Sequence, residues 1–333
     1  MTEPTDRTPR PLTARRRSLG ILLGIAAGAQ LPRAFADAWP SQRVTIVVPF
    51  PPGGASDRSS RVLAEVLSKQ LGQPVVVENK PGAGSAIGTE AVTRSDDGHT
   101  FLMGSTSMTI LPSLRTNLPY QVMRDLKAVG MVSAQPLVLS VATDSALKSI
   151  DDVLSGGRTS DKLTAGNSGN GSLSHLTTEL FNIRNNTRIV PVPYKGESAL
   201  TPDLVSGVTA MAFLNLPSAL PLLKAGRLRA IAVTAPQPIA ELPDVKTMKS
   251  LGFEDFVIEG WAALYAAKSV PDGGVERMSM LLAGALNDAP VRERFAGFGV
   301  APRPGTAKEL GAFTQAEIER WGEVIRKRGI TTQ

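Results

Sequence analysis

The sequence predicts an α/β fold with largely parallel sheets, because short apolar strand patterns alternate with helical patterns along the chain. The strand patterns are almost continuously apolar, which is typical of strands buried on both faces of a sheet. Between them, apolar residues recur at helical spacing, as in a predicted helix that has Ser56 as its N-cap and stops at Gly72. The predicted strands are Val44–Pro49, Val75–Glu78, Thr100–Met103, Leu137–Val141, Ile189–Val192, Ala210–Leu214 and Ala230–Val233.

The first 36 residues have the layout of a twin-arginine signal peptide. Arg15–Arg17 precede an uncharged run from Leu19 to Leu31, which is too short to span a bilayer, and Ala34–Ala36 fits a signal peptidase site. The paired arginines indicate the twin-arginine route; a basic leader ahead of an ordinary buried helix is the alternative. We expect cleavage after Ala36 and a periplasmic protein without a lipid anchor or disulfides, because the chain has no cysteine.

The composition argues against a nucleic-acid partner. The formal charge is +6, but residues 1–36 carry six arginines against two acids, so the mature chain keeps only +2. A nucleic-acid surface needs clustered Lys and Arg, often with stacking aromatics, and the sequence shows neither. No second apolar stretch reaches spanning length, so any work with a membrane goes through partner proteins.

The length of the mature chain favours two domains. Removal of residues 1–36 leaves 297 residues, which exceeds the usual size of one compact core. Two apolar extended runs, Val138–Thr143 and Trp261–Ala266, could carry the chain between the domains, which makes the first domain discontinuous. An apolar stripe predicts a C-terminal helix that packs back on the first domain; it contains Leu310, Phe313, Ile318, Trp321 and Ile325.

Three polar segments can line a ligand crevice, two directly after predicted strands and the third at a predicted helix start, since open α/β sheets bind ligands at the carboxyl ends of their strands. They are Phe50–Asp57, Gly104–Ser107 and Ala165–Ser172. Glycines there leave backbone N–H groups uncovered, and a helix start adds partial positive charge, so a small anion can be held without Lys or Arg. A tight strand-to-helix turn is the alternative for the first segment taken alone.

Catalytic and metal chemistry find little support, so we do not expect an enzyme, a metal site or a cofactor. Gly82, Gly84 and Gly88 have the wrong last spacing for a dinucleotide fingerprint. Ser145–Lys148 matches a β-lactamase motif without its K-T-G partner. With His99 and His175 as the only histidines and no cysteine, a zinc site would be built mostly from carboxylates. His175 either contacts a ligand or bonds its own loop, and His99 is consistent with a strand edge.

Several blocks then resemble the tripartite tricarboxylate transporter substrate-binding family, also called Bug receptors. The similarity runs from about Trp39 to Arg328, in the order and spacing of that family. The blocks are VVPFPPGGASD (Val47–Asp57), ENKPGAG (Glu78–Gly84), DGHTFLMGST (Asp97–Thr106), SGNGSLSH (Ser168–His175), VPYKG (Val192–Gly196), NLPSALP (Asn215–Pro221), KAGRLRAIAVT (Lys224–Thr234) and LPDVKT (Leu242–Thr247).

The resemblance implies a type II periplasmic binding protein, with two Rossmann-like lobes joined by a two-crossover hinge and a ligand cleft between them. Lobe 1 would comprise residues 37–142 and 263–333, and lobe 2 residues 143–262. The lobes would close on a small organic acid and present it, as a monomer, to integral membrane permease subunits. The implied contacts are Phe50, Gly53, Gly54, Ser56, Asp57, Ser105 and Thr106 in lobe 1, and Ser168, Gly169, Asn170, Gly171, Ser172, His175, Tyr194, Lys195 and Asn215 in lobe 2.

This chain differs from the family pattern at one position that bears on the ligand. The family usually has an acidic residue just before the asparagine of the NLPSALP block, and this chain has Leu214 there. If Leu214 faces the ligand, it disfavours amino acids and favours acids with an apolar body, since a ligand ammonium would lack a partner. Asp57 could supply the missing carboxylate from the other lobe. Alternatively, Leu214 points into its own core and never meets the ligand.

Two other functions fit the same sequence. A sensor would present the bound acid to a signalling partner rather than to a permease, and the same lobes would serve it. A periplasmic hydrolase would have to show turnover of esters or amides. The predicted function is nevertheless a solute-binding receptor, because catalytic motifs are lacking while loops suited to anions recur.

Overall fold

A computed structural model describes residues 39–115, 117–159 and 162–331, so the predicted signal peptide lies outside the described residues. Within these ranges, nine strands join in one mixed sheet in the order β2-β1-β3-β9-β4-β7-β5-β6, with β8 paired to β4. The strands are β1 Val44–Val48, β2 Val75–Asn79, β3 Thr100–Ser105, β4 Leu126–Ala142, β5 Thr164–Asn167, β6 Val190–Pro193, β7 Met211–Asn215, β8 Leu228–Val233 and β9 Glu259–Ala267.

The helices cover the sheet and alternate with the strands. No helix in the described part of the chain has the length and apolar character needed to cross a membrane. Their bounds are α1 Ala55–Leu71, α2 Ala86–Thr93, α3 Thr106–Leu114, α4 Val122–Asp125, α5 Ile150–Thr159, α6 Leu173–Asn185, α7 Glu197–Val205, α8 Leu216–Lys224, α9 Asp272–Asn287, α10 Ala289–Ala296 and α11 Ala307–Arg328.

The first helix shows how the sequence sets these elements. Leu63 and Leu67 of α1 are four residues apart, so they share one face and are fully buried. Gly72 ends the helix in the left-handed conformation, and its N–H donates to the Ser68 carbonyl, a common helix stop. The N-cap is Gly54 rather than Ser56, so the predicted N-cap is wrong by two residues.

All seven predicted strands exist, but the sheet is less parallel than the sequence predicted. The pairs β1–β2, β1–β3, β5–β6 and β5–β7 are parallel. Every pair that involves β4 or β9 is antiparallel. These two strands contact residues far away in sequence, and strand patterns alone carry no information about such partners.

The long strand β4 belongs to both halves of the sheet. From Leu126 to Pro136 it pairs with β9, and from Leu137 to Ala142 it pairs with β7 and β8. The chain returns at Ile258, just before β9. Thr234 joins the outward and return segments, because its hydroxyl accepts the N–H of Leu137 (2.8 Å) and donates to the Ile258 carbonyl.

Separate hydrophobic clusters lie on the two sides of this changeover. One contains β1, β3, β9 and the start of β4, while two others surround β5, β7, β8 and the end of β4. The C-terminal helix α11 contacts both sides: Leu310 packs in the first cluster, whereas Trp321 and Ile325 pack in the second. The sequence predicted packing on the first domain; the second half of α11 packs in one cluster with Ile110 of α3 and with Leu180 of α6.

Replacement of Thr234 by valine is expected to lower the free energy of unfolding by about 1–3 kcal/mol, because the buried N–H of Leu137 loses its acceptor. The measurement is urea unfolding followed by circular dichroism. The matched control is Thr143→Val, whose exposed hydroxyl bonds the Gly226 carbonyl (2.7 Å) and can be replaced by water. Equal losses in the two variants would contradict a special role for the Thr234 bond.

Candidate functional site

A cleft of about 410 Å³ lies where the two halves of the sheet meet. Residues of both changeover strands, β4 and β9, line it together with loops and helix starts from each half. The lining residues are Ala55, Ser56, Arg58, Ser59, Thr106, Ser133, Gln135, Leu173, Glu197, Asn215, Pro217, Ser218, Gly260, Trp261, Ala262, Phe298 and Val300.

Five helices begin at this cleft. The first residues of α1, α3, α6 and α7 line it, and so do the second and third residues of α8. The first N–H groups of a helix have no acceptor within the helix, and the helix dipole adds a partial positive charge there. Because the cap residues of α1, α3 and α7 make no side-chain capping hydrogen bond, the cleft suits an anion.

The start of α1 brings hydroxyls and a cation to the same wall. Ser56 and Ser59 are three residues apart and therefore share the helix face that lines the cleft, where Ser59 is buried. Arg58 places its guanidinium 4.9 Å from the ring centroid of Phe298, which also lines the cleft. This stacking orients a cation that forms no ion pair within the described residues.

The loop before α1 is held by Asp57 rather than left open. The Gly53 N–H donates to Asp57 Oδ2 (2.9 Å), and Asn79 Nδ2 donates to Oδ1 (2.9 Å). Arg61 adds an ion pair at 2.9 Å. Burial raises the pKa of Asp57, but the bonds from Arg61, Gly53 and Asn79 outweigh it and hold that pKa below its ordinary value. Asp57 thus stabilises the loop and does not line the cleft.

The floor of the cleft is built from the changeover strands. Thr106 accepts the backbone N–H of Trp261 (3.1 Å), which fixes the start of α3 against β9. Gly260 keeps the floor open, because a Cβ there would lie 3.2 Å from Oδ1 of Asn215. Gln135 adds an amide to the same lining.

Glu197, the first residue of α7, supplies a carboxylate to the lining of the cleft. Its Oε1 accepts the backbone N–H of Asn215 (2.9 Å) and the side-chain Nδ2 of the same residue (2.9 Å). Arg58 and Glu197 are the charged side chains among the described lining residues. The lining side chains are therefore formally neutral in sum.

The glycine-rich loop at 168–172 satisfies most of its own N–H groups. Gly169 donates to Asn167 Oδ1 (3.0 Å), Ser168 to the Ser174 hydroxyl (3.0 Å), and Ser172 to the Gly169 carbonyl (3.1 Å). The Gly171 N–H donates to Nδ1 of the buried His175 (3.0 Å). The prediction that this loop offers free amides is wrong for these four residues, and His175 bonds its own loop.

The structure brings three of the predicted contacts, Ser56, Thr106 and Asn215, to the cleft lining. The other predicted contacts lie outside that lining, and several of them form hydrogen bonds within the surrounding loops. Ser105 bonds the Ser107 hydroxyl (2.9 Å), and Tyr194 bonds Asp203 and Thr209 (2.8 Å each). Outside the lining are Phe50, Gly53, Gly54, Asp57, Ser105, Ser168, Gly169, Asn170, Gly171, Ser172, His175, Tyr194 and Lys195.

Leu214 is fully buried in the cluster around α7 and α8 and is not a lining residue. The hypothesis that Leu214 selects the ligand is therefore wrong, and the alternative of a core position is confirmed. Because neighbouring strand residues face opposite sides, Asn215 reaches the cleft while Leu214 does not. The acid of this cleft is Glu197, directly after the VPYKG block, and the sequence reasoning missed it.

A second depression of about 720 Å³ adjoins the cleft and shares Gln135, Pro217 and Val300 with it. Its described lining contains three acids, Glu241, Glu259 and Glu293, against one cation, Arg292. This excess of negative charge disfavours an anion. The smaller cleft, with its helix starts, is the better anion site despite its size.

Comparison with known proteins identifies the family of this chain. Residues 59–330 match the model of the tripartite tricarboxylate transporter family receptor. The protein BugT of Bordetella pertussis is 38% identical over 316 residues, which cover 93% of this chain and 96% of BugT. The chain belongs to this receptor family. The family resemblance seen in the sequence is thereby confirmed.

Solved structures confirm the fold of the receptor. Rpa4515 of R. palustris, solved with adipate, is 30% identical, with a TM-score of 0.73, and the match covers 88% of this receptor and all of that chain. MatC from Rhodopseudomonas palustris with bound malate is 28% identical, with a TM-score of 0.70, and the match covers 86% of this receptor and all of MatC. The receptor has the periplasmic binding protein fold.

The free energy of unfolding of the receptor is expected to fall as the pH is lowered, because His175 becomes protonated. Burial lowers the pKa of His175, Glu179 raises it in part, and Arg328 lowers it further, so the folded pKa lies below the ordinary 6.5. The unfolded state then binds more protons below about pH 6.5, and stability present above that pH is lost as the pH falls. Protonation of Nδ1 also removes the acceptor for the Gly171 N–H.

The measurement is the melting temperature of wild type and His175→Asn between about pH 7.5 and about pH 5, since asparagine offers an acceptor but does not titrate there. The wild type should lose more stability on acidification than the variant. Parallel pH curves for the two proteins would show that His175 does not contribute.

Proposed function

We propose that this receptor captures a small organic acid in the periplasm and delivers it to the integral membrane permease subunits of a tripartite tricarboxylate transporter. The observation that carries the proposal is the meeting of five helix starts in one cleft. Helix starts bind carboxylates through backbone N–H groups and the helix dipole. The neighbours solved with adipate and malate support an acid as the ligand.

In the proposed complex, a carboxylate of the ligand lies at the start of α1. Ser56 and Ser59 donate their hydroxyls, and Arg58 supplies the positive charge. Thr106 and Asn215 contact the ligand from the floor and the far wall. The turn at Gly53 and the loop at 168–172 are assigned a supporting role, because Asp57, Asn167 and His175 already accept N–H groups there.

We further propose that residues 37–142 and 263–333 form one lobe, that residues 143–262 form the other, and that the lobes close around the acid as a monomer. The change of partner along β4 and the separate hydrophobic clusters support this division. Closure around a ligand between two lobes is the motion expected of this class of receptor. The receptor then binds and releases its acid without a chemical step.

Replacement of Arg58 by glutamine is expected to weaken binding of the acid by about ten- to a hundredfold, because a hydrogen bond to a charged group is lost. Ligands are found by melting-temperature shifts with a panel of organic acids, and their affinities are measured by calorimetry. A ligand that binds only the folded state stabilises it by about 2.7 kcal/mol at a hundredfold excess over Kd.

The matched control is Arg94→Gln, an exposed arginine paired with Glu90 on the surface of α2, which should bind the acid like wild type. If no acid of the panel shifts the melting temperature of wild type, the proposed function fails. If Arg58→Gln binds as tightly as wild type, the carboxylate does not lie at α1.

Export is expected to depend on the paired arginines, since the twin-arginine route reads them. Arg16→Lys together with Arg17→Lys should leave unprocessed precursor in the cytoplasm, detected by fractionation and immunoblotting. The control is Arg10→Lys, outside the Arg15–Arg17 cluster, which should be processed normally. A normal periplasmic yield of the double variant would overturn the twin-arginine route but not periplasmic residence.

A further inference from the structure

The second wall of the cleft carries a carboxylate of the protein itself. Glu197 begins α7, is half-buried, and accepts both the backbone and the side-chain N–H of Asn215 at 2.9 Å. Asn215 is the N-cap residue of α8. The start of α8, which could otherwise hold a ligand carboxylate, is thus already occupied by Glu197.

A second carboxylate on the ligand would meet this occupied position. Like charges at close range repel, and the repulsion is screened less for a half-buried carboxylate such as Glu197 than for an exposed one. The opposite wall differs, because Arg58 and the uncapped start of α1 offer positive charge there. The two walls are therefore suited to groups of opposite charge.

One oxygen of Glu197 remains available. Oε1 takes both bonds from Asn215, while Oε2 accepts no hydrogen bond from the residues that the structure describes. Carboxylates satisfy both oxygens where they can, and a charged donor gives the stronger bond. A donor on the ligand would complete Glu197, and a ligand ammonium would also balance its charge.

We propose that Glu197 is a specificity-determining residue that binds an ammonium group of the ligand, so that the receptor prefers zwitterionic amino acids to dicarboxylates. The inference rests on the proposed function, since it takes the ligand carboxylate at α1 as given. Arg58 and Glu197 together match a ligand with one negative and one positive group. One carboxylate of a dicarboxylate binds at Arg58 and the start of α1, and the other is repelled by Glu197.

The test compares ligands that differ only in the amino group: aspartate with succinate, leucine with 4-methylpentanoate, and phenylalanine with 3-phenylpropanoate. Calorimetry on wild type should show, in at least one pair, an amino acid that binds about ten- to a hundredfold more tightly than its partner, the range for a hydrogen bond to a charged group. Glu197→Gln keeps an acceptor for Asn215 but removes the charge. It should bring the two ligands of that pair to similar affinities by weakening the amino acid.

The matched control is Glu254→Gln, an exposed glutamate outside the cleft, which should keep the wild-type preference. The wild-type comparison decides the matter even if Glu197→Gln does not fold. If the acids without an amino group bind as well as the amino acids, or better, the role of Glu197 is overturned and the acid receptor stands. If another acid of the panel binds but no amino acid does, the role of Glu197 is also overturned, whereas the proposed function itself fails only if no acid of the panel binds.

Discussion

The backbone bonds at the changeover between Pro136 and Leu137 hold both halves of the sheet, and the position of the cleft depends on them. Proline has no N–H, so β4 cannot donate a ladder bond at Pro136. The next N–H, from Leu137, is buried and donates to the Thr234 hydroxyl, which in turn donates to the Ile258 carbonyl. Because the Thr234 hydroxyl holds β4 and the segment before β9 together, Gln135 of β4 and Gly260 of β9 lie side by side in the floor of the cleft.

Much of the fold follows from local pattern, and the misses have a common cause. Buried apolar runs predict strands well because burial on both faces leaves no room for polar residues. Strand β5 was missed since Gly166 and Asn167 look like turn residues. Gly166 is needed for packing instead: a Cβ there would lie 2.0 Å from Leu200 Cδ1 of α7. Contacts between distant segments, such as this one and the antiparallel partners of β4, leave no periodic signal in the sequence.

The site was less predictable than the fold. Glycines do expose backbone N–H groups, as the sequence suggests, but Asp57 and His175 accept the bonds of Gly53 and Gly171. A sequence shows which residues can leave an amide uncovered, and it does not show which side chain folds back to cover it. Ser56 and Thr106 were found because they lie in polar segments that directly follow predicted strands. Glu197 lies one residue past a recognised block and was overlooked.

The hydrogen bonds within the loops of Gly53 and Gly171 affect the cost of ligand binding. A loop whose amides already have acceptors keeps its shape before the ligand arrives, so little conformational entropy is lost on binding. The loops then present the helix starts at fixed positions but contribute little to the choice of ligand. The choice of ligand then depends on the charged side chains in the first turns of α1 and α7, which are Arg58 and Glu197. A substitution at Arg58 or Glu197 can thus change which ligand binds, while the scaffold, including the hydrogen bonds of Thr234, stays the same.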